Sequence, residues 1–361
     1  MLKIAINSPS INNEEYEAIS KILKQSSLTS SSFNGGKNVQ NFEKITVKFT
    51  KSKFAIAVNS GTSALQASLL SLNVGVGDEV IVPSFSFIAT ANAVTSTGAK
   101  PVFVDILKEN YTIDPDDIEK KITKKTKAII PVHLFGNIAF VDRISEIANR
   151  YNLCVIEDSA QSLGSFYKQK HSGTFFEMGC FSMYPGKVVT SGEGGFILTN
   201  NKKLRDKLLK IRNHGLSNDK KFNSFGLNFR LSEIHASIGI VQMKKLPKFL
   251  KVRKENARIL SELLCNKNVE IPQPRKYEHV NWYLYTVSTE KQKILLNSLQ
   301  KKGVQARIYY DTPIHRTKLY QNKKKLTITD WASSHVVSLP VHPQVTKNNI
   351  ELMASVIDKS L

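Results

Sequence analysis

The sequence has few cysteines and no long apolar run. Its three cysteines, Cys154, Cys180 and Cys265, are far apart and match neither a disulfide framework nor a paired-cysteine metal site. No apolar stretch approaches the length of a bilayer-spanning helix, and residues 1–8 lack the pattern of a secretory signal. We therefore expect a cytoplasmic protein with no membrane segment and no metal site.

Acidic residues are scarce relative to basic ones. The chain carries 51 Lys and Arg against 30 Asp and Glu, a net charge of +21. Such a charge is compatible with nucleic-acid binding, with anionic substrates or with a lysine-rich solvated surface. The basic residues form scattered clusters that are not interleaved with aromatic residues, as a base-stacking surface would require. We expect no nucleic-acid partner.

Short apolar segments alternate with helical patterns in the first half of the chain. This alternation predicts a parallel sheet covered by helices, with ligands beyond the carboxyl ends of its strands. The predicted strands are Phe54–Val58, Glu79–Val82, Lys100–Asp105, Ala128–Val132 and Leu153–Ile156.

The length of 361 residues favours two domains. One predicted helix opens at Ser232, and a further helix has Pro247 just inside its start. We place the boundary near Lys245, between a large domain (residues 1–245) and a small α+β domain (residues 246–361). Strands of the small domain are predicted at 282–288 and 304–310.

Lys187 is the first candidate for chemistry. It lies in a loop of small residues within CFSMYPGKVVTSGEGGFILTN (residues 180–200), among apolar neighbours such as Met183 and Val188. Such neighbours would desolvate the ammonium group and lower its pKa. A desolvated lysine is what Schiff-base chemistry with a carbonyl needs. The alternative is an ordinary lysine in a mildly apolar loop.

Three further signals are ambiguous alone. The turn at residues 59–63 joins a strand to a helix and either presents backbone N–H groups to an anion or simply caps the helix. The aromatic Phe87 follows the second strand, and Asp158 follows the fifth. Asp158 could cap a helix, ligate a metal or hold a pyridine nitrogen protonated. Together with Lys187, these are the parts that pyridoxal phosphate requires, and their order along the chain resembles that of fold-type I enzymes.

Over nearly its whole length the sequence resembles the DegT/DnrJ-type sugar-nucleotide aminotransferases. The resemblance implies an α/β fold-type I transferase for pyridoxal phosphate, with a large, mostly parallel sheet and a smaller α+β C-terminal domain. The segments that carry it are NSGTSAL (59–65), GDEVIVPSFSFIATANAV (77–94), PVFVD (101–105), PVHLFGN (131–137), VIEDSAQSLG (155–164), residues 180–195, RNHG (212–215), GLNFRLSEIHASIG (226–239) and SLPVHP (338–343).

The resemblance also implies roles for individual residues. Lys187 matches the lysine that holds the cofactor as a Schiff base and later moves a proton, and Asp158 matches the carboxylate on the pyridine nitrogen. Tyr310 and His315 could instead be packed residues of the small domain. The implied cofactor-binding residues are Gly61, Thr62, Ser63, Phe87, Gln161, Ser182 and Asn228, the last reaching into the neighbouring subunit of a homodimer, and the implied substrate residues are Arg230, Tyr310 and His315.

The implied reaction converts a nucleotide-linked keto-sugar to the amino sugar, with glutamate as amino donor. The family pattern favours an NDP-4-keto-6-deoxyhexose, while a 3-keto sugar and the base (GDP, UDP or dTDP) stay open. At His235 and Tyr309 the sequence departs from residues that are frequent in the family, so the resemblance does not fix which sugar is accepted. A dehydratase or epimerase with the same cofactor and a non-catalytic regulatory relative are the alternatives. The presence of Lys187 and Asp158 favours transamination.

Overall fold

A seven-stranded sheet organises the structure, a computed structural model that describes residues 4–321 and 324–361. The strands are β1 (Phe54–Val58), β2 (Glu79–Pro83), β3 (Lys100–Val104), β4 (Thr126–Ile129), β5 (Cys154–Asp158), β6 (Phe166–Tyr167), β7 (Lys170–His171), β8 (Met178–Ser182), β9 (Gly195–Thr199), β10 (Glu278–His279), β11 (Tyr285–Ser288) and β12 (Val336–Leu339). The helices are α1 (Asn13–Lys24), α2 (Lys37–Thr50), α3 (Gly61–Ser71), α4 (Ala89–Thr95), α5 (Pro115–Lys121), α6 (Val141–Tyr151), α7 (Lys202–Arg212), α8 (Glu233–Leu264), α9 (Gln292–Lys301), α10 (Thr327–His335) and α11 (Lys347–Ser360).

The order of strands in the large sheet is β1-β9-β8-β5-β4-β2-β3. Neighbours from β8 to β3 are parallel, whereas β9 is antiparallel to both β8 and β1. The carboxyl ends of every strand except β9 therefore lie on the same edge. This arrangement confirms the predicted α/β fold with a large, mostly parallel sheet.

Both faces of the sheet are buried, as an alternating strand requires. In β1, Ile56 and Val58 belong to one core cluster, whereas Ala55 and Ala57 belong to another on the opposite face. Four of the five residues of β1 are buried. The helices that cover the two faces leave only the sheet edges for ligands.

Helix α8 differs from the sequence prediction at Pro247. We predicted two helices there, and this was wrong, because one helix of 32 residues runs through the proline. A proline inside a helix removes a hydrogen bond and costs about 3 kcal/mol. Leu246 and Phe249 are buried in the main core, while Leu260 and Leu264 are buried in the C-terminal core. Burial of each of these four side chains stabilises the folded state by roughly 1.5–3 kcal/mol, and their sum outweighs the cost of the proline.

The C-terminal region contains a small antiparallel sheet of β11 and β12, which shares a core with α9, α11 and the end of α8. The strand predicted at 304–310 was wrong. That segment makes only isolated bridges in the described chain, from Val304 to Ile4 and from Arg307 to Ser338. The domain boundary at residue 245 falls within α8 and stays a prediction.

Arg212 is a buried anchor for the irregular segment before α2. Its Nη1 donates to Glu43 Oε1 over 2.7 Å and to the Ala57 carbonyl over 3.2 Å, and its Nη2 donates to the Phe33 carbonyl over 3.1 Å. The guanidinium is 2% exposed. Arg212 thereby joins α2, β1 and the segment before α2.

We expect Arg212→Met to lower the free energy of unfolding by about 3–5 kcal/mol, because it leaves the Glu43 carboxylate without its cation. Urea unfolding followed by circular dichroism measures this change. The matched control is Arg205→Met, because Arg205 pairs with Asp206 at a partly exposed site. There we expect a loss below about 1 kcal/mol. Equal losses in the two variants would contradict the anchoring role.

Candidate active site

The carboxyl edge of the sheet collects the residues predicted for the site. The turn at residues 59–63 follows β1, Phe87 lies four residues beyond β2, and Asp158 ends β5. Ser182 ends β8, and Lys187 lies in the loop that follows. A parallel sheet places such residues on one edge although they are far apart in sequence.

The turn after β1 forms a cradle suited to an anion. Helix α3 begins at Gly61, and Ser60 caps it by accepting from the Ser63 backbone N–H over 3.0 Å. A Cβ at Gly61 would lie 2.9 Å from the Ser182 Cβ, so glycine is required for this approach. Thr62 is exposed, whereas the Ser63 hydroxyl donates to Asn59 Oδ1 over 2.5 Å. A helix N-terminus beside serine and threonine hydroxyls fits a phosphate group.

Asp158 is a buried carboxylate with two hydrogen bonds. Its Oδ2 accepts from the Thr90 hydroxyl over 2.8 Å and its Oδ1 accepts from the Ala160 N–H over 3.2 Å. Burial raises its pKa, while both hydrogen bonds and the charge of Lys187 act in the opposite direction. A buried carboxylate held in this way fits a protonated pyridine nitrogen.

Lys187 is half-buried, with its Nζ 5.0 Å from the centroid of the Tyr283 ring. Burial lowers the pKa of Lys187 to about 8, against the opposing charge of Asp158. A large fraction of the amine is therefore neutral in mildly alkaline solution. The desolvation predicted from the apolar loop is present, and it gives the nucleophile that Schiff-base chemistry needs.

This pKa predicts how Lys187 reacts in protein stripped of cofactor. Below pH 8 the amine is protonated and unreactive, and above it the amine is neutral. We expect labelling of Lys187 by an amine-specific reagent, followed by peptide mapping, to rise with a midpoint near pH 8. Nα-acetyl-lysine, the control, should rise near its ordinary value of about 10.4. Coincident curves would contradict the desolvated environment.

Gln161, Tyr310 and Phe87 form one contact network beside Asp158. Gln161 Oε1 accepts from the Phe135 N–H over 2.9 Å, and its Nε2 donates to the Tyr310 hydroxyl over 3.2 Å. The Tyr310 ring lies 6.5 Å from that of Phe87 between centroids. Burial raises the pKa of Tyr310, so its hydroxyl stays protonated and can donate.

The other predicted residues differ in exposure. Asn228 is exposed, and its backbone carbonyl accepts from Asn59 Nδ2 over 3.2 Å. Arg230 is half-buried and donates to Asn213 Oδ1 over 2.7 Å. Asn228 therefore lies directly beside the turn after β1.

His315 is fully enclosed. Its Nδ1 lies 2.6 Å from Ser84 Oγ, and its Nε2 lies 3.5 Å from Asp330 Oδ1. Burial lowers the pKa of His315. His315 is therefore packed against Ser84, directly after β2, and its role towards the substrate stays a prediction.

Sequence reasoning missed two side chains at the site, Thr90 and Tyr283. Thr90 lies three residues after Phe87, so the first turn of α4 returns it towards the sheet edge. Tyr283 comes from the segment before β11, and no local pattern linked it to Lys187. Within residues 4–321 and 324–361, no group of three or more His, Cys, Asp or Glu could hold a metal ion. Among the helices of that same part, none combines the length and the apolar composition that a membrane span would need.

Known proteins share both the sequence pattern and the fold. The model of the DegT/DnrJ/EryC1/StrS aminotransferase family matches residues 9–358. GDP-perosamine synthase of Escherichia coli O157:H7 is 34% identical over 357 residues, covering 97% of this chain and 96% of that protein. UDP-N-acetyl-3-dehydro-alpha-D-glucosamine 3-aminotransferase of Acidithiobacillus ferrooxidans is 37% identical over 306 residues, covering 84% and 83%.

A solved structure extends this similarity to three dimensions. Streptomyces venezuelae DesV in complex with a ketimine intermediate matches with a TM-score of 0.92 and 30% identity, covering 96% of this chain and 94% of that chain. The fold-type, the enzyme class and the cofactor inferred from the sequence are thereby confirmed.

Proposed function

Since the chain belongs to the DegT/DnrJ/EryC1/StrS aminotransferase family, we propose that it moves the amino group of glutamate to the keto carbon of an NDP-4-keto-6-deoxyhexose. The chain is an aminotransferase that uses pyridoxal phosphate, and its relatives act on nucleotide sugars. The observation that carries the proposal is the half-buried amine of Lys187, whose charge interacts with the buried carboxylate of Asp158.

Pyridoxal phosphate, when bound, supplies an aldehyde that reacts with amines and a pyridine ring that accepts electrons. In our proposal Lys187 holds the aldehyde carbon and later carries the proton that moves between the cofactor and the substrate carbon. Asp158, as the ionised carboxylate, would accept a hydrogen bond from the protonated ring nitrogen. Gln161 would lie near the phenolic oxygen, and the exposed ring of Phe87 would stack on the pyridine face.

The phosphate would be held by the cradle at the start of α3. Gly61 permits the close approach to Ser182, Thr62 presents an exposed hydroxyl, and the N-terminus of an 11-residue helix adds a partial positive charge. The hydroxyl and the backbone N–H of Ser63 are both occupied within the turn, so Ser63 would act through the partial positive charge of the helix terminus and not by donating directly to the phosphate.

We propose a homodimer in which each copy completes the other's site through Asn228. Two aromatic side chains close in sequence to site residues are exposed in the single chain: Tyr184, three residues before Lys187, by 55%, and Phe225, three residues before Asn228, by 65%. Apolar surface of this kind is typical of an interface. The cytoplasm is the proposed location.

We propose that Arg230 and Tyr310 contact the substrate. His315 would support the site through its contact with Ser84, after β2. The net charge of +21 suits a substrate that carries a diphosphate. The named relatives use both GDP- and UDP-linked sugars, and one acts on a 3-dehydro sugar. The base and the keto position are therefore variables of the experiment.

The test incubates the cofactor-loaded protein with ¹⁵N-glutamate and a panel of 4-keto and 3-keto sugars on GDP, UDP and dTDP. We expect ¹⁵N in a 4-keto-derived product, measured by mass spectrometry, and none with Lys187→Ala. Loss of water without ¹⁵N would identify a dehydratase, and an unchanged mass with altered stereochemistry an epimerase. No product from any sugar would favour a regulatory role.

A further inference from the structure

A chain of two buried hydroxyls ends on Asp158. The Thr90 hydroxyl donates to Asp158 Oδ2 over 2.8 Å, and the Ser86 hydroxyl lies 2.9 Å from that of Thr90. Thr90 is fully buried and Ser86 is 3% exposed. Bulk water therefore does not substitute for either hydroxyl.

The charge of Asp158 fixes the direction in which the two hydroxyls donate their hydrogen bonds. A threonine hydroxyl has one proton to donate. When that proton is directed to the ionised Asp158, the Thr90 oxygen must accept from Ser86. The hydrogen bonds then run from Ser86 to Thr90 to Asp158. Hydrogen bonds donated to a carboxylate favour its charged form, so the chain opposes the effect of burial.

Few donors reach this carboxylate. Among the described residues, the only other hydrogen bond to it comes from the Ala160 N–H to Oδ1, at the longer distance of 3.2 Å. Thr90 thus makes the shorter of the two contacts and binds the oxygen that Ala160 does not. Together the two donors fix the plane of the carboxylate as well as its charge.

We propose that Thr90, oriented by Ser86, is a positioning residue that keeps Asp158 ionised and aimed at the pyridine nitrogen. This inference rests on the proposed role of Asp158. Phe87 lies between the two hydroxyl residues in sequence. The short segment after β2 therefore supplies both Phe87, which is proposed to stack on the pyridine ring, and the two hydroxyls that orient Asp158, the proposed partner of the ring nitrogen.

Other titratable groups also face Asp158. They are Lys187 in the loop after β8, His133 after β4, Cys180 on β8 and Tyr310 from the C-terminal region. None is altered by a substitution at Thr90 or Ser86, so a changed titration of Asp158 in such a variant reports the hydroxyl chain.

The test compares Thr90→Val, which keeps the shape but removes the hydroxyl, with Thr90→Ser, which keeps the hydroxyl. Infrared difference spectra of cofactor-free protein, with Asp158→Asn as reference, report protonation of this carboxyl group. Loss of the Thr90 hydrogen bond raises the pKa of Asp158, so we expect its titration in Thr90→Val to move to higher pH by about one pH unit. Thr90→Ser should titrate as wild type.

Binding and turnover provide further readouts. In Thr90→Val we expect the dissociation constant of pyridoxal phosphate to rise roughly tenfold and kcat to fall by a similar factor. The KM for the sugar should not change. Ser86→Ala should move the same quantities by a smaller factor, and it serves as the second variant if Thr90→Val does not fold.

An unchanged carboxyl titration in a folded Thr90→Val, or in Ser86→Ala if only that variant folds, would overturn the proposal. A failure of the proposed function is recognised separately, because wild-type protein would then not transfer nitrogen from glutamate to any sugar. The infrared titration does not depend on that activity.

Discussion

Lys187→Ala is expected to reduce amino transfer by roughly 10⁴-fold or more, because one substitution removes both the covalent attachment and the proton carrier. The absorbance of the Schiff base should also be absent from protein loaded with cofactor. The Lys187 amine has a pKa of about 8 and lies over the Tyr283 ring. No other lysine is proposed to act on the cofactor.

The control for this variant is Lys251→Ala on the exposed side of α8. It should keep wild-type absorbance and activity, and circular dichroism should show that both variants are folded. Activity of Lys187→Ala within tenfold of wild type would contradict the assignment. Retained Schiff-base absorbance would show that a different amine holds the cofactor.

Asp158→Asn is expected to have the second largest effect. The substitution keeps the size of the side chain but leaves the pyridine nitrogen without an anionic partner. Breaking one side of a buried charge pair costs about 3–5 kcal/mol, which corresponds to a loss of roughly 10²–10⁴-fold in rate. The Schiff base with Lys187 should still form, because the aldehyde is distant from the ring nitrogen.

A cofactor analogue sharpens this test. N-methyl pyridoxal phosphate carries a permanent positive charge on the ring and does not need a carboxylate to keep it. In Asp158→Ala, where the methyl group has room, we expect the rate with the analogue to be at least tenfold higher than the rate with pyridoxal phosphate. In Lys187→Ala the analogue should not increase the rate. Asp206→Asn, at the partly exposed pair with Arg205, is the matched control and should behave as wild type. Wild-type rates in Asp158→Asn would contradict the role of the carboxylate.

The parts of the fold that sequence reasoning predicted well are those where one physical effect dominates. The strands of the parallel sheet have continuous apolar runs because both of their faces are buried, so β1 and β2 were predicted within a residue of their observed bounds. The loop around Lys187 was also recognisable, since its neighbours are apolar and small. The family resemblance then joined these separate signals into one predicted chemistry.

The errors arose where tertiary packing overrides a local signal. Pro247 is a helix breaker by itself, but buried leucines on both sides hold α8 together through it. The segment at 304–310 has a strand-like composition yet finds no continuous partner strand. Thr90 lies only three residues after Phe87, but its contact with Asp158 depends on the first turn of α4, and nothing in the sequence around Tyr283 points to Lys187.

The most direct measurement of the central claim is the visible absorption spectrum of the cofactor-loaded protein during titration with glutamate. We predict that the Schiff-base band disappears in proportion to the glutamate consumed, that 2-oxoglutarate forms in equal amount, and that the keto-sugar substrate restores the band. A band that glutamate leaves unchanged, without 2-oxoglutarate, would contradict an aminotransferase that takes nitrogen from glutamate through Lys187.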